Sequence, residues 1–384
     1  MSEPVAPDSV AELIALSNRF GADPLFVRAG GGNSSMKADG VLWLKPSGVP
    51  LATLAADDLV PLDRARLLAL LEADPASLPS DVDPVMATAA EARLAAAHGR
   101  RPSVELLFHA LLPERFVLHT HPIVANAVTC NSDGPALAQR LFGDCAVWVP
   151  YTDPGLPLAH AIVAARTAHA ARTGHPAPPI TLLGNHGLIV GGETAADIDR
   201  ETAWLVGVVE AELARHPAMT LPDPAPADEA IVAAVESGLD CPAAVFDADP
   251  FAASFAATPG GRAYLAGGPL IPDQIVYTGS WPLVLEIGEG SPERVREQTR
   301  AAAEAERARH GVGPTIAVLP GVGLMATGDS PRQADTARDV CLDMLRVAAL
   351  ALRLGGIRHM SEPERTFIEQ WEAEAYRKQV AATG

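Results

Sequence analysis

Apolar residues recur along much of the chain at intervals of three and four, the spacing that places them on one face of an α-helix. This pattern predicts helices over residues 8–20, 57–74, 83–98, 158–172 and 194–215. Only 5% of the residues are aromatic and alanine is abundant, which indicates helices with small side chains. The first of these helices is expected to stop at Gly21.

Short apolar runs between glycines and other turn residues predict β-strands. "SSMK" and "VLWLK" flank "ADG" at residues 38–40, a pattern typical of a β-hairpin. Single strands are expected over "RFVLHTH" (115–121) and "CAVWVPY" (145–151). "PITLLGNHGLIVGG" (179–192) predicts two strands joined by a glycine-flanked turn.

The stretch "RPSVELLFHALLP" (101–113) predicts a further amphipathic helix. Its apolar residues Val104, Leu107, Phe108 and Leu111 follow helical spacing, and the helix is expected to begin just after Pro102. Glu105 would then lie in the first turn, where the helix dipole favours an acidic residue. That structural role is one interpretation of Glu105, and a catalytic role is the other.

Residues 219–229, "MTLPDPAPADE", are rich in proline, alanine and acidic residues and predict a linker. We therefore expect two domains, over residues 1–220 and 221–384. The segment 180–200 resembles 316–336 at a constant offset of 136 residues, and His186 falls opposite Val322. This indicates a degenerate half-repeat without the histidine, although strand–turn–helix units can also look alike by chance.

Charge and cysteine content narrow the class of protein. The 384 residues carry a net charge of −18, which argues against nucleic acid or an anionic membrane as a partner. The four cysteines are widely spaced, as expected of a reduced protein. The first twenty residues lack a secretory signal, and no run approaches the ~18–20 apolar residues of a membrane helix. We expect a cytoplasmic protein with a small-molecule partner.

His119 and His121 lie two positions apart in a predicted strand, so both side chains point to the same face. Such a pair suggests two ligands of a metal ion, while a hydrogen-bonded structural role is the alternative. His186, in the predicted turn of 179–192, is the natural third ligand. Three imidazoles with one open coordination position are typical of a catalytic metal site.

Five motifs in a fixed order resemble the class II aldolase/adducin family: "GGGNSSMK", "LKPSG", "RPSVELLFH", "HTHP" and "LLGNHGLIVGG". The resemblance covers roughly residues 8–215. "FIEQWEAEAYRK" (367–378) is similar to the end of the aldolase part of bifunctional rhamnulose-1-phosphate aldolase/lactaldehyde dehydrogenases. No dehydrogenase part is expected. "GGG" at 30–32 is not a dinucleotide-binding motif, because no GxGxxG pattern opens a helix there.

The resemblance implies an α/β fold, a three-layer αβα sandwich around a mainly antiparallel sheet, with the C-terminal half-repeat appended. It implies a divalent metal, zinc being the usual one, held by His119, His121 and His186. Glu105 matches the acid/base of the family. The implied reaction is metal-dependent cleavage of a ketose 1-phosphate, such as rhamnulose 1-phosphate, to dihydroxyacetone phosphate and an aldehyde. It proceeds through a metal-stabilised enediolate.

The family's phosphate site also has counterparts here. The matching residues are Asn33, Ser47, Gly48 and Ser103, and Lys45 and Arg28 are neighbouring cations. Donors at turns and helix N-termini suit phosphate, and the alternative is that Asn33 and Ser47 only stabilise turns.

Three departures from the family pattern concern hydroxyl groups. Gly30 and Val104 stand where fuculose-type enzymes have a threonine and a second serine. The tyrosines that donate a proton to the aldehyde also lack a direct match. Tyr151 is the candidate for that catalytic role and Tyr376 a second one, while packing with a surface hydroxyl is the alternative for both. His109, four residues after Glu105, is a candidate to orient it, and a histidine that only packs is the alternative.

Other activities of the family, and a non-catalytic member, are the alternatives to an aldolase. A decarboxylase or epimerase acting on a related sugar or sugar-acid phosphate is the alternative enzyme, and Glu105 disfavours the epimerase branch. A non-catalytic module of the adducin type is expected to lack the metal ligands. The chain has all three histidines, which disfavours this last hypothesis. The family resemblance also implies a homo-oligomer.

Overall fold

The computed structural model describes residues 9–73, 83–94, 100–287 and 290–371. The chain divides into two compact units. The N-terminal unit comprises Met1–Thr129 and Gly134–Glu212, and the C-terminal unit comprises Cys130–Asp133 and Leu213–Gly384. The division after residue 212 lies near the expected domain boundary at residues 220 and 221, which stays a prediction. No helix among the described residues is long and apolar enough to cross a membrane.

The N-terminal unit alternates helices with the strands of one sheet. Its helices are α1 (Ser9–Ala22), α2 (Arg64–Glu72), α3 (Pro84–Ala92), α4 (Leu106–Leu111), α5 (Ile123–Thr129), α6 (Gly134–Phe142), α7 (Leu156–Thr173) and α8 (Ala195–Leu213). Its strands are β1 (Asn33–Ala38), β2 (Val41–Leu44), β3 (Val60–Asp63), β4 (Phe116–Thr120), β5 (Ala146–Val149), β6 (Ile180–Leu183) and β7 (Gly187–Gly192). Strands β1 and β2 form the expected hairpin.

The seven strands lie in the order β3-β2-β1-β4-β7-β6-β5. Every neighbouring pair is antiparallel except β5 and β6. Helices cover both faces of this sheet. On one face the Ser34 hydroxyl lies 2.7 Å from that of Ser17 in α1, and on the other the Ser35 hydroxyl lies 2.7 Å from His109 Nδ1 in α4. The predicted three-layer α/β sandwich around a mainly antiparallel sheet is confirmed.

Two predicted helices are shorter than their sequence patterns suggest. Within 57–74, Val60–Asp63 is a strand, and helix α2 begins only at Arg64, capped by the Asp63 side chain. Strand β3 forms because Leu62 pairs with Leu42 at the sheet edge, and a tertiary pairing overrides local helix preference. Helix α3 ends at Ala92 rather than residue 98. Residues 8, 74 and 95–98 of the predicted helices lie outside the described residues.

The helix predicted just after Pro102 begins later, at Leu106. Glu105 therefore occupies the N-cap position, with φ −94° and ψ 11°, and its side chain makes no capping hydrogen bond. The Ser103 hydroxyl accepts a hydrogen bond from the Glu105 backbone N–H instead. The expectation that Glu105 lies in the first turn was wrong, and its carboxylate is left available for other contacts.

The C-terminal unit has a smaller sheet. Its strands are β8 (Ala243–Asp247), β9 (Leu283–Val284), β10 (Ile316–Leu319) and β11 (Gly323–Gly328). Its helices are α9 (Glu229–Leu239), α10 (Pro250–Ala257), α11 (Pro259–Gly267), α12 (Pro272–Thr278), α13 (Pro292–His310), α14 (Pro331–Arg353) and α15 (Glu362–Gln370). The strand order is β8-β11-β10-β9.

The two sheets share a four-strand pattern. In the N-terminal unit β4 is antiparallel to β7, β7 to β6, and β6 is parallel to β5. In the C-terminal unit β8, β11, β10 and β9 repeat these relations in the same order. The expected half-repeat therefore extends to strand pairing, which chance likeness of one strand–turn–helix segment does not explain.

Candidate active site

The first two histidines of the site lie at the end of strand β4. His119 is fully buried in the strand, and His121 follows the strand by one residue. The two Nε2 atoms lie 3.0 Å apart, so both rings converge on one point. The period of two along the strand places both rings on the same face, as predicted.

His186 reaches the same point from the turn between β6 and β7. Its imidazole ring lies 4.9 Å from that of His119 and 5.4 Å from that of His121, measured between ring centroids. Gly187 follows it, and a Cβ atom there would lie 2.6 Å from both the His121 ring and the Thr120 carbonyl oxygen. Only glycine lets the turn approach β4 this closely.

The protonation state of His119 suits a metal ligand. Its Nδ1 lies 3.0 Å from the Leu188 carbonyl oxygen, and a proton on Nδ1 leaves the Nε2 lone pair for a cation. Burial lowers the pKa of His119 to about 3, against the opposing effect of Glu105. His119 is therefore neutral at neutral pH.

The donor atoms fit a divalent metal ion. One ligand atom from each of His119, His121 and His186 lies within 4.8 Å of the others. Metal–nitrogen bonds of 2.0–2.1 Å in a tetrahedron put neighbouring donors about 3.3 Å apart. The 3.0 Å separation of the His119 and His121 nitrogens is close to that value. Three buried or partly buried imidazoles are a typical donor set for zinc.

The Glu105 carboxylate lies against this cluster. Its Oε1 is 3.1 Å from His186 Nε2 and 3.6 Å from His119 Nε2. Burial by itself raises the pKa of Glu105, whereas its interactions with His119 and then His186 lower it by more. The carboxylate is therefore ionised at neutral pH and can accept a proton.

Asn33, a candidate for phosphate binding, contacts Glu105 directly. Its side-chain amide donates a hydrogen bond to Glu105 Oε2 across 72 positions of sequence. His109, the candidate to orient Glu105, instead lies with Nδ1 2.7 Å from the Ser35 hydroxyl. Asn33 therefore holds the carboxylate, and sequence reasoning did not find this role.

The other candidates for phosphate binding lie on loops that meet beside Glu105. Pro46 and Pro102 form an isolated antiparallel bridge, and the Ser47 N–H donates to the Arg101 carbonyl oxygen. This bridge brings the loop of Ser47 and Gly48 next to the loop of Ser103, which directly precedes Glu105. Gly48 has a φ of +80°, which favours glycine.

Lys45 is the most deeply buried cation in this region, with 1% of its surface exposed. Its ammonium lies 3.3 Å from the Pro46 carbonyl oxygen and 3.5 Å from that of Gly30. Lys45 therefore links the glycine-rich loop at 30–32 with the loop at 46–48. Arg28 is partly buried at the start of the same glycine-rich loop.

Of the two candidate tyrosines, the described residues include Tyr151 but not Tyr376. Tyr151 follows strand β5, and its backbone N lies 3.1 Å from where a Cβ atom on Gly184 would stand. Gly184 begins the turn that presents His186, so Tyr151 is near the site in the fold. Its catalytic role stays a prediction. Tyr376 lies outside the described residues.

The positions equivalent to the histidines in the C-terminal unit carry other side chains. Strand pairing aligns Leu188 with Thr120, and the equivalent Leu324 with Asp247. By this register, the counterparts of His119, His121 and His186 are Phe246, Ala248 and Val322. Phe246 and Val322 instead pack against the hydrophobic core of that unit. The repeat therefore retains the strands and has no ligand at these positions.

Comparison with known proteins assigns the chain to a family. A family model described as "Class II Aldolase and Adducin N-terminal domain" matches residues 11–213, and one described as "Aldolase class II, second domain" matches residues 229–377. The chain belongs to the class II aldolase and adducin family. The membership predicted from the five sequence motifs is confirmed.

Individual relatives of this class II aldolase-family chain are distant. The "Uncharacterized oxidoreductase YuxG" of Bacillus subtilis (strain 168) is 24% identical over 416 residues, which covers 98% of this chain and 59% of that protein. The chain thus spans 59% of the length of this relative.

Two solved structures are similar at low identity. The N-terminal class II aldolase domain of a conserved protein from Thermoplasma acidophilum is 23% identical, with a TM-score of 0.46, and covers 56% of this chain and 97% of that one. The l-fuculose-1-phosphate aldolase of Thermus thermophilus is 19% identical, with a TM-score of 0.35, and covers 55% and 98%.

Proposed function

We propose that this chain is a metal-dependent class II aldolase, a carbon–carbon lyase. It cleaves a ketose 1-phosphate, such as rhamnulose 1-phosphate, to dihydroxyacetone phosphate and an aldehyde. The observation that carries the proposal is the position of Glu105, whose Oε1 lies 3.1 Å from His186 Nε2 at the three-histidine cluster. A carboxylate at this place serves proton transfer to a substrate held by the same cluster.

His119, His121 and His186 would hold the metal, and zinc is the proposed ion. When bound, a divalent cation supplies a Lewis acid that draws electron density from a substrate carbonyl group. The protein contributes ligands held rigidly by one strand end and one tight turn. It also keeps the His119 imidazole in the neutral form that binds a cation.

Glu105 is the proposed acid/base. In cleavage the C3–C4 bond breaks, its electron pair stays on C3, and the C4 hydroxyl loses its proton as the aldehyde forms. Through Tyr151, that proton reaches the Glu105 carboxylate, which delivers it to C3 and completes dihydroxyacetone phosphate. In condensation the Glu105 carboxylate removes that C3 proton. Asn33 holds Glu105 in place for both cleavage and condensation. Tyr151 is the proposed group that exchanges the proton with the C4 oxygen.

The phosphate of the substrate is proposed to bind beside Glu105. Loop residues Ser47, Gly48 and Ser103 offer N–H and hydroxyl donors there, and Lys45 supplies a buried positive charge. This supports a sugar phosphate as the substrate class.

Hydrogen exchange at C3 of dihydroxyacetone phosphate tests the proposal without knowledge of the aldehyde. Zinc-loaded protein is incubated with this ketone in D2O, and loss of the C3 proton signal is followed by NMR. Stereospecific exchange is expected, and Glu105→Gln should slow it at least ~100-fold, because an amide cannot act as a base. Unphosphorylated dihydroxyacetone should exchange more slowly.

Glu114→Gln is the matched control, since Glu114 is a partly buried carboxylate of the same unit that pairs with Arg166. Its exchange rate should stay close to that of the wild type. Exchange that persists in Glu105→Gln contradicts the assigned base. Absence of exchange from zinc-bound wild-type protein contradicts the assigned donor, and oxo-acid phosphates, the substrates of the decarboxylase alternative, are then tested.

A further inference from the structure

The residue before His186 has an unusual backbone conformation. Asn185 has a φ of +49°, in the left-handed region, although it is not glycine. This conformation is unfavourable for an L-residue, and asparagine tolerates it better than most. Such strain persists where the surrounding structure requires it, often beside functional groups.

The C-terminal unit contains the same turn with glycine at this position. Gly321 is the counterpart of Asn185 at the repeat offset, and its φ is +81°. The Asn185 N–H donates to the Thr129 carbonyl oxygen, and the Gly321 N–H donates to the Ala253 carbonyl oxygen, both at 2.9 Å. Glycine therefore suffices to build the turn. The asparagine occurs in the copy whose next residue is the third histidine.

Asn185 is fully buried, and its backbone N–H attaches the turn to Thr129. Thr129, whose carbonyl oxygen accepts the Asn185 N–H, also donates its hydroxyl proton to Asn126 Oδ1 at 2.9 Å. Asn126 and Thr129 belong to helix α5, which begins two residues after His121, and both are buried. This polar group thus connects the turn of His186 with the segment of His121.

We propose that Asn185 is a positioning residue that acts through His186. Its buried side chain limits the motion of the turn and so holds the His186 imidazole toward His119 and His121. The equivalent turn in the C-terminal unit presents Val322, which is not a metal ligand. It has Gly321 at the position of Asn185. The proposal rests on the proposed metal site of the N-terminal unit.

The test compares Asn185→Gly with Asn185→Ala in the full chain. Glycine removes the side chain and relieves the positive φ, whereas alanine removes it and keeps the strain. Zinc affinity is measured by competition with a chromophoric chelator, and the melting temperature is measured on metal-free protein. Both variants should bind zinc roughly 10–100-fold more weakly, as expected for loss of a group that orients a ligand. Asn185→Ala alone should melt lower, by roughly 2–4 °C.

Asp39→Gly is the matched control, because Asp39 also has a positive φ, of 50°, and lies exposed in the β1–β2 hairpin. It should leave the zinc affinity unchanged. Zinc affinity of Asn185→Gly within twofold of the wild type overturns the proposal, since the asparagine would then matter only for the backbone turn. Wild-type protein that binds no zinc overturns the metal site itself, and this inference with it.

Discussion

At the residue scale, the site depends on an acid and an amide that the sequence places far apart. Glu105 lies at the start of α4 and Asn33 at the start of β1, yet the Asn33 amide donates to Glu105 Oε2. The other carboxylate oxygen faces the histidines. A carboxylate held at one oxygen presents the other in a constant direction, which proton transfer requires.

This contact predicts the effect of Asn33→Ala. Loss of a hydrogen bond to a charged group is worth about 1.5–3 kcal/mol, so the rate of C3 exchange should fall roughly 10–150-fold at saturating ketone. The zinc affinity should not change, because the Asn33 side chain donates to Glu105, and the pairing of the Asn33 backbone with His119 between β1 and β4 does not depend on that side chain. NMR exchange rates at several ketone concentrations measure both the maximal rate and the half-saturation constant.

Asn33→Asp keeps the size of the side chain but replaces the donor by a second carboxylate, and it should be at least as impaired. If Asn33→Ala instead raises only the half-saturation constant for dihydroxyacetone phosphate, Asn33 acts on the phosphate. That result would contradict the role inferred from its contact with Glu105.

At the element scale, strand β1 lines the α4 side of the sheet with polar residues. Asn33, Ser35 and Lys37 alternate along it and contact Glu105, His109 and the Glu114 backbone in turn. Burial lowers the pKa of Lys37 to about 7, and the charge of Arg64 adds to this against Glu114 and Glu193. One strand thus carries both a site residue and a lysine that is costly to protonate.

Lys37 predicts a pH dependence of stability. Between pH 7 and 10.5 the unfolded chain binds a proton on this lysine and the folded chain does not, so the free energy of unfolding decreases as pH falls through this window. Lys37→Met removes this contribution. The variant should gain stability relative to the wild type as pH is lowered from 9 to 7, by at most about 1.4 kcal/mol per pH unit.

Urea unfolding at a series of pH values measures the difference. Lys37→Arg, which stays charged throughout, should be destabilised at every pH and show no such slope relative to Lys37→Met. A stability difference between Lys37→Met and wild type that is constant with pH would contradict the lowered pKa.

At the scale of the whole molecule, two units share a strand pattern and differ in chemistry. The histidines and Glu105 all belong to the N-terminal unit, and Phe246, Ala248 and Val322 occupy the ligand positions of the repeat. The sheet of the C-terminal unit also has no counterpart of β1–β3 among the strands the structure describes, with β8 at its edge. The homo-oligomer implied by the family resemblance stays a prediction.

This asymmetry predicts a local response to metal. Zinc at 100 times its dissociation constant should stabilise the native site by about 2.7 kcal/mol relative to metal-free protein. Hydrogen–deuterium exchange should show added protection in residues 116–121 and 183–192, which contain the ligands. The equivalent segments 243–248 and 319–328 should not change.

His186→Ala serves as the control and should abolish the zinc-dependent protection. Protection of equal size in residues 243–248 would mean that the repeat responds to metal as well. That outcome would contradict a ligand set confined to the N-terminal unit.

The amino-acid sequence alone determined those features that depend on local period and motif. The two-residue period placed His119 and His121 on one face, and the glycine-flanked turn between two apolar runs placed His186 at a strand end. The motif order identified the family and the sandwich fold. These signals lie within short segments or in the order of segments along the chain, so they can be recognised without knowledge of tertiary contacts.

Only the tertiary structure decided which side chains meet. Pairing of β3 with β2 converted part of a predicted helix into a strand, because edge pairing in a sheet outweighs helix propensity. The contact of Asn33 with Glu105 and the strain at Asn185 arise from the approach of distant segments. The register of β8 on β11 was likewise needed to recognise Phe246 as the counterpart of His119, since strand pairing is set by long-range packing.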